Sequence, residues 1–345
     1  MDPEYHIEVL QRLPLGATPV DVKTLSFSSP KQTIASVLSE SHSVLLFEAG
    51  TAAPATTISV AEDPVEITGG GRDTAYIACR ASATVDVISQ TGLVKRIDLP
   101  GLPQSLAWNG SYNPTKQRIM VTCQKPDSED GILVVIDEET LRIVNVLDVG
   151  KRPRGVSLDR QRKHMLVANY GSDSISIIDQ SGKKTLATLP TAGRPWAINV
   201  SWFDPQDIIV SLRGGGILQR LDASQFPPVL SGLTALTAPS RPPISMAPYF
   251  CLPLDEDHLW IAPDRHSEAI ALVRSNGRDL KQVGYHRLGP EDQSDEGLGP
   301  VAISGHGLPG KLFIANRKRK ELVLAEMSRR KTTLMSRKAL SRGRR

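Results

Sequence analysis

Apolar and polar residues alternate along this chain in short bursts, each closed by a cluster of Gly, Ser, Asp or Asn. A period of two is that of a strand, and such brevity does not suit a helix. The clearest stretch is Met165-Leu-Val-Ala-Asn-Tyr-Gly-Ser-Asp-Ser-Ile-Ser-Ile-Ile-Asp179: one alternating run, a turn at Gly171 to Asp173, and a second run, which predicts a β-hairpin. Comparable hairpins are predicted at Thr33 to Glu48, Ala75 to Ser89, Ile119 to Asp137, Ile208 to Asp222, Leu259 to Arg274 and Leu312 to Glu326.

A proline heads a further strand start before each hairpin, at Pro19, Pro64, Pro103, Pro153, Pro195, Pro248 and Pro300, spaced on average about 47 residues apart. Proline fixes φ and lacks an N–H, so it suits the first residue of a strand and not its middle. A fourth strand follows each hairpin, as at Arg142 to Val146 and Thr185 to Leu189. A four-stranded unit buries little apolar surface alone and needs neighbours on both faces. The expected fold is therefore all-β: a seven-bladed β-propeller of four-stranded blades. His6 to Leu13 matches the fourth-strand pattern with nothing before it, so the N-terminal strand is expected to complete the seventh blade, with Lys331 to Met335 as its competitor.

Composition changes this picture little. The chain of 345 residues has 40% hydrophobic and 23% charged residues with 27 Gly and 25 Pro, a turn-rich but otherwise ordinary globular balance. No apolar run approaches the roughly 20 residues of a membrane span, and the N-terminus lacks a signal-like apolar core, so a cytoplasmic protein is expected. Cys79, Cys123 and Cys251 form no C-x-x-C pair and are expected as buried thiols, with a Cys79–Cys123 disulfide the open alternative. Charge is uneven: Arg317 to Lys320, Arg329 to Lys331, Arg337, Lys338 and Arg342 to Arg345 make the end of the chain basic, while the whole carries only +4. The expected division is a propeller over 1–327 and a flexible basic tail over 328–345, which could meet nucleic acid, an anionic membrane or an acidic partner.

The segment from Val149 to Asp179 resembles the YVTN family of β-propeller repeats, through Leu166-Val-Ala-Asn-Tyr170, Gly171-Ser-Asp173 and Ile175 to Asp179, with echoes at Leu312-Phe-Ile-Ala-Asn316 and Tyr76-Ile-Ala-Cys79. The last third is similar to lactonase-type propellers, the group of 6-phosphogluconolactonases and muconate-cyclising enzymes, at Leu259 to Leu272 and at Gly299 to Arg317. That second resemblance implies Arg or His directly after the final proline. Val301 stands there, and the Pro-Arg context occurs instead at Arg154.

In a propeller, the loops before each inner strand and the turns between second and third strands emerge on one face, where binding is expected. The hairpin turns bring His42, Arg80, Lys125, Asp127, Asn169, Tyr170, Asp173, Arg213, Asp264, Arg265, His266 and Arg317 to that face. The connecting loops bring Arg152, Arg154, Arg194, Trp196 and the acidic stretch Glu291 to Glu296. Clustered guanidinium groups favour carboxylate or phosphate ligands. No metal is expected: His258 and His266 lie eight residues apart along a strand, about 26 Å, and cannot share an ion. Gly69 to Gly71 and Gly214 to Gly216 read as turns, with neither Gly-Lys-Ser/Thr nor a helix after them. No cofactor is expected. The function read from the sequence is a monomeric, non-enzymatic binding propeller for a protein or small anionic ligand. The alternatives are a lactonase-like hydrolase or cyclase using Arg154, Asp264 and His266 on a sugar-acid lactone, and an adaptor working through the basic tail.

Overall fold

The structure, a computed structural model, describes residues 5–27, 32–49, 51, 54–110, 117–159, 164–201, 204, 206–213, 216–236, 252–253, 258–264, 269–276, 279–288, 300–304 and 310–329. They form seven four-stranded antiparallel sheets and, among the described residues, no helix. Blade 1 holds β2 (Pro19–Leu25), β3 (Thr33–Leu38), β4 (Ser43–Glu48) and β5 (Thr56–Ser59). Blade 2 holds β6 (Pro64–Gly69), β7 (Ala75–Cys79), β8 (Thr84–Ser89) and β9 (Gly92–Asp98). Blade 3 follows with β10 (Leu102–Trp108), β11 (Arg118–Gln124), β12 (Gly131–Asp137) and β13 (Arg142–Val149), and blade 4 with β14 (Pro153–Leu158), β15 (His164–Asn169), β16 (Ser174–Asp179) and β17 (Thr185–Pro190). Blade 5 has β18 (Pro195–Val200), β19 (Asp207–Leu212), β20 (Ile217–Asp222) and β21 (Val229–Ala235), and blade 6 has β22 (Leu252–Pro253), β23 (Leu259–Asp264), β24 (Ala269–Ser275) and β25 (Leu280–Arg287). Blade 7 joins β26 (Pro300–Ser304), β27 (Lys311–Asn316) and β28 (Glu321–Arg329) to β1 (Tyr5–Pro14) from the other end of the chain.

This is a seven-bladed β-propeller closed by its N-terminal strand. β1 runs antiparallel to β28 from Tyr5 opposite Arg329 to Pro14 opposite Glu321, so β28 continues two residues past 327. The expected competitor at 331–335 and the proline at 248 lie outside the described residues. Among the described residues the hydrophobic core is divided into seven clusters, one at each blade-to-blade interface. The ring's last joint shows the principle: Ala302, Phe313, Ala315 and Leu322 of blade 7 pack on Val22, Ile34, Leu45 and Phe47 of blade 1. The strands of the hairpins are buried on both faces, as a sheet packed between two neighbours must be. Cys79 and Cys123 are buried free thiols in such strands, not a disulfide.

One irregularity recurs. In six blades the pairing of the inner strand shifts register directly after its proline, between Pro19 and Asp21, Pro64 and Glu66, Pro103 and Ser105, Pro153 and Val156, Pro195 and Ala197, and Pro300 and Ala302. Proline cannot donate to the ladder, and a bulge absorbs the gap. Its consequence is functional, because a bulge suspends the alternation of side chains.

Candidate functional site

The inner strands of the blades surround a cavity of about 380 Å³ on the axis of the ring. Both residues after the proline line it in five blades: Val20 and Asp21, Val65 and Glu66, Gln104 and Ser105, Arg154 and Gly155, Trp196 and Ala197. The second-to-third strand turns add Ser39, Arg80, Arg213 and Arg317 at the same mouth. Of the residues expected on this face, Arg80, Arg154, Trp196, Arg213 and Arg317 therefore meet around one cavity.

The cationic arc is built on aromatic rings. The Arg154 guanidinium carbon stands 4.7 Å from the Trp196 ring centroid and that of Arg213 stands 4.3 Å from it. Tyr170 meets Trp196 edge-on at 5.5 Å, and Arg194 lies 5.7 Å from the Tyr170 ring. The electron-rich faces of the two rings offset the mutual repulsion of these arginines. Arg154 also donates to the Gln104 side chain. Arg213 and Arg317 make no ion pair among the described residues.

The opposite arc is acidic. In a ring of seven, blade 1 faces blades 4 and 5, so Asp21 lies across from Arg154, Trp196 and Arg213. Asp21 accepts the amide hydrogens of Val22 at 2.8 Å and of Ile67, in the next blade, at 2.9 Å. Glu66 repeats this clasp one blade on, held by the Ser105 hydroxyl and the Leu106 amide. Burial raises the pKa of Asp21 in spite of Lys23 and the two amides. Burial likewise raises Glu66, and the negative charge of Asp21 raises it further, to about 7, against the opposing effects of Lys23, Ser105 and Leu106.

The other expected residues do not line this cavity. At the rim of blades 1 and 2, the His42 Nδ1 accepts the Asp63 amide at 3.2 Å, and Arg80 pairs with Asp63 at 2.8 Å. Arg152 is exposed and pairs with Glu129; Lys125 leans outward to Asp148 at 2.7 Å. Asp127 and Asp173 are turn residues with positive φ. Asn169 was expected at the ligand face and is instead fully buried, accepting from the Gly150 amide at 3.1 Å and donating to Ser176 at 2.8 Å. Its role is to hold the loop that precedes Pro153. Asp264 ends β23, and its side chain lies outside the described residues, as do Arg265, His266 and the stretch from 291 to 296. His258, at the start of the same strand, lies 3.7 Å from buried Asp207, between blades 5 and 6. Among the described residues no cluster of His, Cys, Asp or Glu could hold a metal ion, and no helix is long and apolar enough to cross a membrane.

Four charged residues of the cavity wall, Asp21, Lys23, Asp63 and Glu66, are absent from the sequence-based candidates. The available signal was the position itself, two after the proline, where Asp21 and Glu66 stand in for the Ser105, Gly155, Ala197 and Ala302 of other blades.

No protein-family model matches the chain, and no curated protein matches it by sequence. Among solved structures it is similar to hydrazine synthase of Kuenenia stuttgartiensis, with a TM-score of 0.71 over 90% of this chain and 95% of that one, at 14% identity. The likeness is one of fold. It supports the propeller and leaves the YVTN and lactonase resemblances without a family match.

Proposed function

We propose that this propeller is a binding protein whose ligand is a small anionic molecule, a carboxylate or phosphate, seated at the mouth of the central channel. The observation that carries the reading is the arc of Arg154, Arg213 and Arg317 on one cavity, two of them fixed on the Trp196 ring. A stacked guanidinium is pre-organised, so less entropy is lost when an oxyanion docks. About 380 Å³ lies within the range of small-molecule sites, which favours a small ligand over a protein loop.

Isothermal titration against a panel of dicarboxylates and organic phosphates tests this. Each charge-assisted contact contributes about 1.5–3 kcal/mol, so Arg213→Ala should weaken binding by roughly tenfold or more, and Arg317→Ala likewise. A panel in which no anion binds, or binding indifferent to both substitutions, removes the reading. Turnover of a lactone panel, lost in Arg154→Ala, would move the function to the lactonase-like alternative.

A further inference from the structure

The groups facing Glu66 set up a second property of the channel. From β2 it faces Asp21 and Lys23; from β10, the Ser105 hydroxyl and the Leu106 amide. Arg154 and Arg213 line the far side of the cavity from blades 4 and 5, Arg317 lines it from blade 7 next to blade 1, and Arg80 at the rim is engaged by Asp63. Beside the Arg80–Asp63 ion pair, which lines the same cavity, the acidic arc thus sets two carboxyl groups against one ammonium, inside a ring of blades where charges are screened less than in bulk water.

An anion seated on the three arginines takes away the positive potential that favours a carboxylate in the same cavity. We propose that anion binding in the channel is coupled to partial uptake of a proton, which settles on Glu66; the proposal rests on the anion-binding reading above. Glu66 is the receptive member of the pair. Both oxygens of Asp21 accept backbone amides, which favour its ionised form. The Ser105 hydroxyl can turn to accept from a protonated Glu66 as readily as it donates to the carboxylate. The two groups titrate as a coupled unit, so the proton belongs to the pair and its resting place is the glutamate. The carboxyl already exchanges its proton near neutrality, so a modest change in potential alters its occupancy at ordinary pH.

The test is titration of the whole protein with sulfate and, separately, succinate. Sulfate remains dianionic from about pH 6.5 to 8.5, and succinate does so above about pH 7, so a proton exchanged near pH 7.5 comes from the protein. Heats are measured in buffers of contrasting ionisation enthalpy. If the bound charge moves the Glu66 carboxyl by about one unit, the wild type takes up about half a proton near pH 7.5 and binds about sixfold more tightly at pH 6.5 than at pH 8.5. Glu66→Gln keeps an acceptor for the Leu106 amide, and its melting curve reports that it is folded. It should bind the same anions with heats independent of buffer and affinity flat in pH. Wild-type binding without proton uptake, or the same uptake in Glu66→Gln, overturns this inference and leaves the anion site standing. No binding of any anion by the wild type overturns both.

Discussion

Asp207 offers the sharpest test of how the blades are held together. It begins β19 in blade 5 and is fully buried. Its carboxylate accepts from Arg220 Nε at 2.9 Å within the blade, and from Trp260 Nε1 at 3.0 Å and the Ser275 hydroxyl at 2.8 Å in blade 6. Asp207→Ala leaves a buried guanidinium, 3% exposed, without its main counter-charge, and strips the bond from an indole N–H and a hydroxyl. Breaking a buried pair from one side costs about 3–5 kcal/mol. Asp222 stands 3.6 Å from Arg220 and takes up part of the charge, so the lower end, about 3 kcal/mol, is expected. Urea unfolding followed by far-UV circular dichroism and by tryptophan fluorescence measures it. Glu139→Ala provides the contrast: its pair with Arg72 at 3.4 Å is exposed on both sides, and its loss should cost about 1 kcal/mol or less. Replacing the pair together, as Asp207→Leu with Arg220→Met, should restore much of the loss, because no charge is then left buried. An Asp207→Ala loss below about 1 kcal/mol would refute the claim that this network joins blades 5 and 6.

Three further outcomes are expected. Glu66 holds its proton more tightly folded than unfolded, so wild-type stability should fall as pH rises from the unfolded value of 4.5 to about 7 and stay low above it; Glu66→Gln should lose this slope, worth on the order of 3 kcal/mol, in melts across that range. Gly131→Ala drives a methyl into the Gly150 carbonyl oxygen and to 2.6 Å from the Pro153 ring, and should cost about 1–3 kcal/mol, whereas Gly193→Ala, with open space around it, should be near neutral in the same unfolding assay. Burial pushes the Cys79 thiol up to about 12 and raises Cys123 as well, so both should resist a thiol reagent in the native protein and react once it is unfolded, with mass spectrometry assigning the labelled sites.

The hairpins were legible because alternation and turn chemistry coincide. Thr33 to Glu48 and Ala75 to Ser89 begin and end where the strand pairs do. The closing strand was legible as an orphan, a fourth strand with no blade before it. Topology alone then sorted Arg80, Arg154, Trp196, Arg213 and Arg317 to one mouth, since strand direction fixes which end of each blade a turn occupies. Two kinds of residue defeated this reasoning. Asn169 belongs to a turn by sequence, yet its amide satisfies the Gly150 backbone and so points into the protein. Asp21 and Glu66 lie beside residues that face the channel, and strict alternation sends them the other way. The bulge after each proline brings both to the cavity wall, and a bulge has no reliable mark in one sequence.

These details bear on why the repeats are so uneven. Three joints between blades carry a carboxylate clamp as well as their hydrophobic cluster, and each is built from different residues. Asp21 and Glu66 reach the inner strand of the following blade; Asp86, bonded to Arg96, accepts the Ala61 amide; Glu138 gathers the Gly71 amide, the Tyr76 hydroxyl and the Trp108 indole; Asp207 gathers Trp260 and Ser275. A mechanical requirement that accepts many solutions keeps the architecture while the consensus erodes. The same divergence breaks the symmetry of the channel. Seven equivalent blades would line the axis with one kind of residue, whereas here the clamps of blades 1 and 2 leave carboxyl groups on one arc and blades 4, 5 and 7 present arginines on the other. A polarised cavity of that kind can orient a ligand, which a symmetric one cannot. One side of that polarity is set by Asp21 and Glu66, residues that also join neighbouring blades.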